Sequence, residues 1–264
     1  MLSAMGGGEL YAGYPRFRLM RHYTTSRPFS AFAAPISHLL RQLRPGDKRI
    51  ARLRSFLRAR DFVEAYTSLV GYFSYADVIT LTGTGIESYR HKMEEMLAPV
   101  RHLSPLKRAM YLDRAGFLAH NLTVADRSSM SKSLEVRVPL ISVKQGAASF
   151  TAPENALFDR RGGKKPLRDL IDARGVAPAL MERPKQGFNP PLDRKIDILG
   201  RDLFLGELLN GAASSILSKD AMRGIVNRHF SGEVNETYRL WQLLYLNYWL
   251  EGLKNFRASQ NVAA

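Results

Sequence analysis

Apolar residues recur at helical spacing along most of this chain. Ile50, Leu53, Phe56 and Leu57 share one face of a stretch that is otherwise basic or polar, which predicts a helix capped by Asp47 and running to about residue 60. Further helices are expected over residues 61–72 and 104–120, the latter strongly amphipathic, and over a long closing segment capped by Asn235. The longest apolar run, 240–253, is interrupted by Gln242, Asn247, Glu251 and Gly252. It is too short and too polar to cross a bilayer, and a buried helix is expected there.

Strand patterns are scarce. Val136-Arg137-Val138 ahead of Pro139 is short and extended, and Met1-Leu2 reads as a strand stump feeding a glycine turn. Loops are marked by Arg44-Pro45-Gly46, Gly83-Thr84-Gly85, residues 159–163 and Asn189-Pro190-Pro191. The pattern therefore predicts a mainly α protein. No internal repeat and no low-complexity linker marks a boundary, so residues 1–264 are taken as one domain.

Composition narrows the chemistry. The chain has 264 residues, 45% of them hydrophobic, enough to bury a substantial core. It has no cysteine, which removes disulfides, thiolate metal sites and any cysteine nucleophile. The start shows no basic segment followed by an apolar core, so a cytoplasmic location is expected and the Asn121-Leu122-Thr123 sequon carries no weight. The six histidines show no metal-ligand spacing.

A net charge of +15 raises nucleic acid as a partner. Much of the excess lies in Arg41, Arg44, Lys48, Arg49, Arg52, Arg54, Arg58 and Arg60, beside the apolar positions of the helix predicted there. No base-stacking aromatics are interleaved with these charges, so a solvated face is the expectation and nucleic acid is not.

The candidate chemistry begins at Ser3-Ala4-Met5-Gly6-Gly7-Gly8-Glu9-Leu10-Tyr11. Glycines let backbone N–H groups approach a phosphate, and a helix starting at Glu9 would present its N-terminus to an anion. Gly162-Gly163-Lys164-Lys165 lacks the spacing and hydroxyl of a phosphate-binding Walker loop.

Two further blocks are Asp126-Arg127-Ser128-Ser129-Met130, continuing through Leu134-Glu135-Val136-Arg137-Val138-Pro139, and Arg183-Pro184-Lys185-Gln186-Gly187-Phe188. With the opening turn, and with the Leu240-Trp241-Gln242-Leu243-Leu244 segment near the end, they resemble the synthetase domain of glutamine-hydrolysing asparagine synthetases and their relatives, the β-lactam synthetases among them. The resemblance implies the C-terminal helical portion of an adenine-nucleotide-hydrolase-like α/β (PP-loop) domain. It also implies ATP-dependent amide formation, in which a carboxylate attacks the α-phosphorus and an amine or ammonia then displaces AMP from the acyl-adenylate. ATP, Mg2+ and a small carboxylate substrate are the implied ligands.

By the same resemblance Ser3, Ala4, Gly6 and Glu9 contact the nucleotide, and Lys185 is the catalytic cation at the pyrophosphate. Lys164 and Lys165 match a helix start of the family. Asp126 and Arg127 are expected to brace the structure as an ion pair, with Glu135 and Arg137 as structural support. Gly8 stands where the family carries a metal-binding aspartate, so magnesium binding is in doubt and no metal ligand is assigned. Met5 and Ala4 also depart from the pattern. Neither a glutaminase half nor an S-G-G-x-D-S pyrophosphate loop occurs in these residues, so the chain is expected to be incomplete or inactive alone. The alternatives are a non-catalytic remnant, a fragment that pairs with a separate N-terminal half or with further copies of itself, and a basic nucleic-acid-binding module.

Overall fold

The computed structural model describes residues 1–28, 48–175 and 190–262. The cap expected at Asp47, Arg41, the Arg44-Pro45-Gly46 loop and the whole Arg183–Phe188 block lie outside the described residues. The chain is mainly helical as expected, and among the described residues the extended pairings are two isolated bridges, Leu2 with Arg137 and Asp159 with Gly162. It divides into two compact units: Met1–Phe32, Arg60–Tyr66 and His91–Lys185 form one, and Ala33–Ala59, Thr67–Arg90 and Gln186–Ala264 the other.

In the first unit the Pro15–Arg21 helix, with proline at its first position, buries Phe17 and Met20 against the Pro105–Leu112 helix. That helix begins where the Ser104 hydroxyl accepts the Lys107 N–H, and it buries Leu106, Ala109 and Met110 at i, i+3, i+4 spacing. The helix expected over 104–120 is longer and less regular than predicted. Residues Asp113–Leu118 take a wider π turn before α-helix resumes over Ala119–Met130. The π turn points Asp113 into the core and leaves Phe117 45% exposed. The Phe62–Val70 helix, starting in this unit, matches the expected 61–72, with the Asp61 carboxylate accepting the Glu64 N–H.

In the second unit the helices Leu192–Asn210, Lys219–Phe230 and Thr237–Val262 enclose Ile196, Phe204, Leu208, Met222, Val226 and Leu240, all without solvent exposure. The first of these breaks at Gly200, whose φ of 75° suits glycine. The basic helix predicted from about 47 to 60 runs Lys48–Arg58, and Phe56 is buried.

The closing helix corrects one expectation: it is two-faced, not buried all round. Leu240, Leu243, Leu244 and Asn247 point inward, while Tyr245, Tyr248 and Trp249 are exposed. Two of its polar interruptions have partners. The Asn247 Oδ1 accepts the Ala213 N–H at 2.9 Å and the Glu251 Oε1 accepts the Ala212 N–H at 2.6 Å, tying down the Ala212–Ser215 turn. Among the described residues no helix is long and apolar enough to cross a membrane.

Candidate functional site

The two strand stumps found in the sequence pair with each other. The Ser3 N–H donates to the Arg137 carbonyl at 2.9 Å, the Arg137 N–H to the Met1 carbonyl at 2.8 Å, and the Met1 ammonium to the Glu135 carbonyl at 2.9 Å. This short parallel ladder joins the opening turn to the Glu135–Arg137 segment. After it, the Ser3 hydroxyl accepts the Met5 N–H at 3.4 Å, and Gly6 with φ of 87° turns the chain into the short Gly7–Leu10 helix. Gly6 is also fixed by space, since a Cβ there would collide with the Ile141 side chain.

The turn is packed from two further sides. The Lys164 N–H donates to the Tyr11 carbonyl at 2.7 Å, and the Lys164 stem lies over Gly13, where a Cβ would displace it. Lys164 is thereby a cation placed at the turn, which its position beside a helix start did not announce. The second side is the ring of Tyr14, which lies against Gly8, so that a Cβ on Gly8 would stand 2.7 Å from the ring.

The carboxylate of Glu9 is 3% exposed and accepts the Tyr14 hydroxyl at 2.8 Å. Burial, reinforced by this bond, raises the Tyr14 phenol well above its ordinary range, so it is a neutral donor. Arg16 continues the network: its guanidinium lies 4.0 Å from the Tyr14 ring centroid and pairs with Asp113 at 2.5 Å. Asp113 is fully buried and also accepts the Tyr66 hydroxyl at 2.7 Å. Burial raises its carboxyl above the usual range, while Arg16 and Tyr66 pull it down. The π turn matters here, because it brings Phe117 edge-on to Tyr14 and over Arg16.

The remaining candidates are distributed unevenly. Ala4, whose carbonyl accepts the Gly7 N–H at 3.4 Å, lies within the turn. Glu135 and Arg137 form an exposed pair at 2.5 Å in the segment that holds Ser3. Asp126 and Arg127 are exposed on the Ala119–Met130 helix, and among the described residues neither has an ion-pair partner, so the brace expected from them does not form there. Lys185 lies outside the described residues.

A family model described as asparagine synthase matches residues 1–251. The chain belongs to the asparagine synthase family. Provisionally named asparagine synthetases (glutamine-hydrolyzing) from Mycobacterium bovis and two strains of Mycobacterium tuberculosis are each 26% identical to it over 94% of its length. The chain spans 38% of the length of these relatives. No solved structure matches it.

The asparagine synthase turn in this chain is a poor fit for magnesium. Gly8 carries no ligand, the space a side chain would enter is filled by Tyr14, and the neighbouring Glu9 is buried and engaged. Among the described residues no cluster of three or more His, Asp or Glu side chains is placed to hold a metal ion.

Proposed function

We propose that the chain serves ATP-dependent amide-bond formation through an acyl-adenylate. In this reading a substrate carboxylate oxygen bonds to the α-phosphorus as pyrophosphate leaves, and an amine or ammonia then attacks the acyl carbon as AMP leaves. Ser3 and Ala4 contact the adenylate, Gly6 lets the backbone come close, and Lys185 balances charge on the departing pyrophosphate. Asp126, Arg127, Glu135 and Arg137 act away from the reacting atoms, and residues 1–264 work as one domain.

The observation that carries the reading is the Ser3–Arg137 backbone bond, which unites two sequence blocks of the family at one place. The test is exchange of labelled pyrophosphate into ATP, measured on the whole chain with a panel of amino-acid carboxylates. Carboxylate-dependent exchange is expected, falling about 100-fold in Lys185→Ala, the scale for losing one preorganised charge stabiliser. Exchange that survives this substitution unchanged removes Lys185 from the role. Absence of exchange from the folded chain removes independent catalysis.

A further inference from the structure

The second unit contains a cleft of about 500 Å³ lined by the Lys48–Arg58 helix, the turn at residues 71–74 and the chain entering the Thr237–Val262 helix. None of its lining residues belongs to the blocks that mark the family. One wall carries a plate of two stacked rings: Tyr72 and Tyr238 lie face to face, 4.7 Å between centroids and 8° between planes, so each covers one face of the other. Arg239, which also lines the cleft, donates to the Tyr72 carbonyl at 2.8 Å and pairs with Asp77 at 2.9 Å and Glu236 at 3.2 Å. Its charge is therefore matched. Glu236, 5% exposed, also pairs with Arg228 at 3.2 Å, so two cations face two carboxylates in this bracing network.

Arg52 stands outside that balance. It comes from the basic face that sequence pattern alone assigns to solvent, and its guanidinium lies 5.7 Å from the Tyr72 ring centroid. Among the described residues no carboxylate pairs with it. Burial raises the Tyr72 phenol, so the hydroxyl that Arg52 meets is neutral and leaves the guanidinium charge uncompensated. A planar guanidinium matches carboxylate and phosphate oxygens in its own plane.

We propose that this cleft binds a small planar anion, an aromatic ring bearing a carboxylate or phosphate, with the ring on the outer Tyr72 face of the stacked pair and the charge on Arg52. The volume falls in the range of small-molecule sites, about 300–1,000 Å³. A nucleic-acid strand is the poorer match, because it needs successive stacking surfaces along a basic track, and this cleft offers one plate. The site is separate from the amide chemistry and stands or falls without it.

Titration calorimetry on the whole chain tests the proposal with phenyl phosphate and benzoate as probes, and inorganic phosphate and phenol as single-feature controls. Phenyl phosphate or benzoate is expected to bind at least tenfold more tightly than either control. Arg52→Gln and Tyr238→Leu are each expected to weaken it about tenfold while the circular dichroism spectrum and melt stay those of the parent. Should Tyr238→Leu perturb the fold, Arg52→Gln, exposed and outside the bracing network, decides alone. Equal binding by inorganic phosphate, binding unaffected by Arg52→Gln, or no binding of either probe at 10-fold the concentration typical of weak sites, about 10 mM, each overturns the proposal. So does tighter, steeply salt-dependent binding of a short oligothymidylate, which would assign the basic face to nucleic acid.

Discussion

The ring of Tyr14 occupies the space into which a side chain at position 8 would project, with its Cζ 2.7 Å from where a Cβ on Gly8 would lie. The ring is held there by its hydroxyl's bond to buried Glu9 and by Arg16 stacked on it. Restoring the family's aspartate is therefore not a simple gain of a metal ligand. Gly8→Asp is expected to lower stability by about 1–3 kcal/mol through overpacking, with no rise in melting temperature on adding magnesium. Adding Tyr14→Ala should recover part of the loss. Thermal melts with and without magnesium check both statements, and a magnesium-dependent rise in the single variant would contradict them.

Asp113 links stability to pH. Its carboxyl is raised above the ordinary 3.8, so the folded state binds this proton more readily than the unfolded chain does. The favourable contribution is complete below the ordinary value and is lost as pH rises through the raised one. Asp113→Asn removes this titration. The variant's stability should then climb more steeply with pH than the parent's in the window above pH 3.8. Removing one partner of the buried pair with Arg16 should also cost about 3–5 kcal/mol at neutral pH. Urea unfolding at a series of pH values separates the slope from the offset.

Lys107 closes the end of the Val143–Thr151 helix from inside the first unit. Its ammonium, 7% exposed as a residue, donates to the carbonyls of Ser149 at 2.9 Å and Ala152 at 2.7 Å, and burial lowers its pKa. Lys107→Met keeps the apolar stem and removes both bonds. A loss of about 1–3 kcal/mol is expected from stranded buried carbonyls. Chemical denaturation measures it, and a neutral result would show that water replaces the ammonium.

The two faces of the closing helix should respond differently to substitution. Asn247→Leu strands the buried Ala213 N–H and is expected to cost about 1–3 kcal/mol, despite raising the hydrophobicity of an apolar segment. Tyr245→Ser, at a residue 68% exposed, should change stability by no more than about 0.5 kcal/mol. The difference in melting temperature between the two variants is the measurement. Equal losses would mean that both faces are covered in solution.

Helix positions were largely legible, because apolar spacing and capping residues act within a few residues of one another. Ser104, Asp61 and the 53/56/57 apolar spacing all correspond to helices in the structure. The π turn after Leu112 had no local mark, because it arises where Asp113 meets Arg16 and Tyr66 from distant parts of the chain. The candidate site was legible as motifs, not as geometry. Lys164 reaches the opening turn only through a contact with Tyr11, and Asp126 and Arg127 are exposed although they stand adjacent in sequence. Adjacent helical residues point about 100° apart, so sequence proximity does not imply an ion pair.

The sequence by itself determined the helical character, the family and the absence of cysteine chemistry, because periodicity, motif spacing and composition are properties of the chain as written. Tertiary structure alone decided that Ser3 joins Arg137, that Tyr14 fills the place beside Gly8, and that Arg52 overlooks a tyrosine plate with no carboxylate of the described residues to pair with. Those relations depend on which surfaces exclude water against each other, and burial of that kind is settled only when segments distant along the chain pack together.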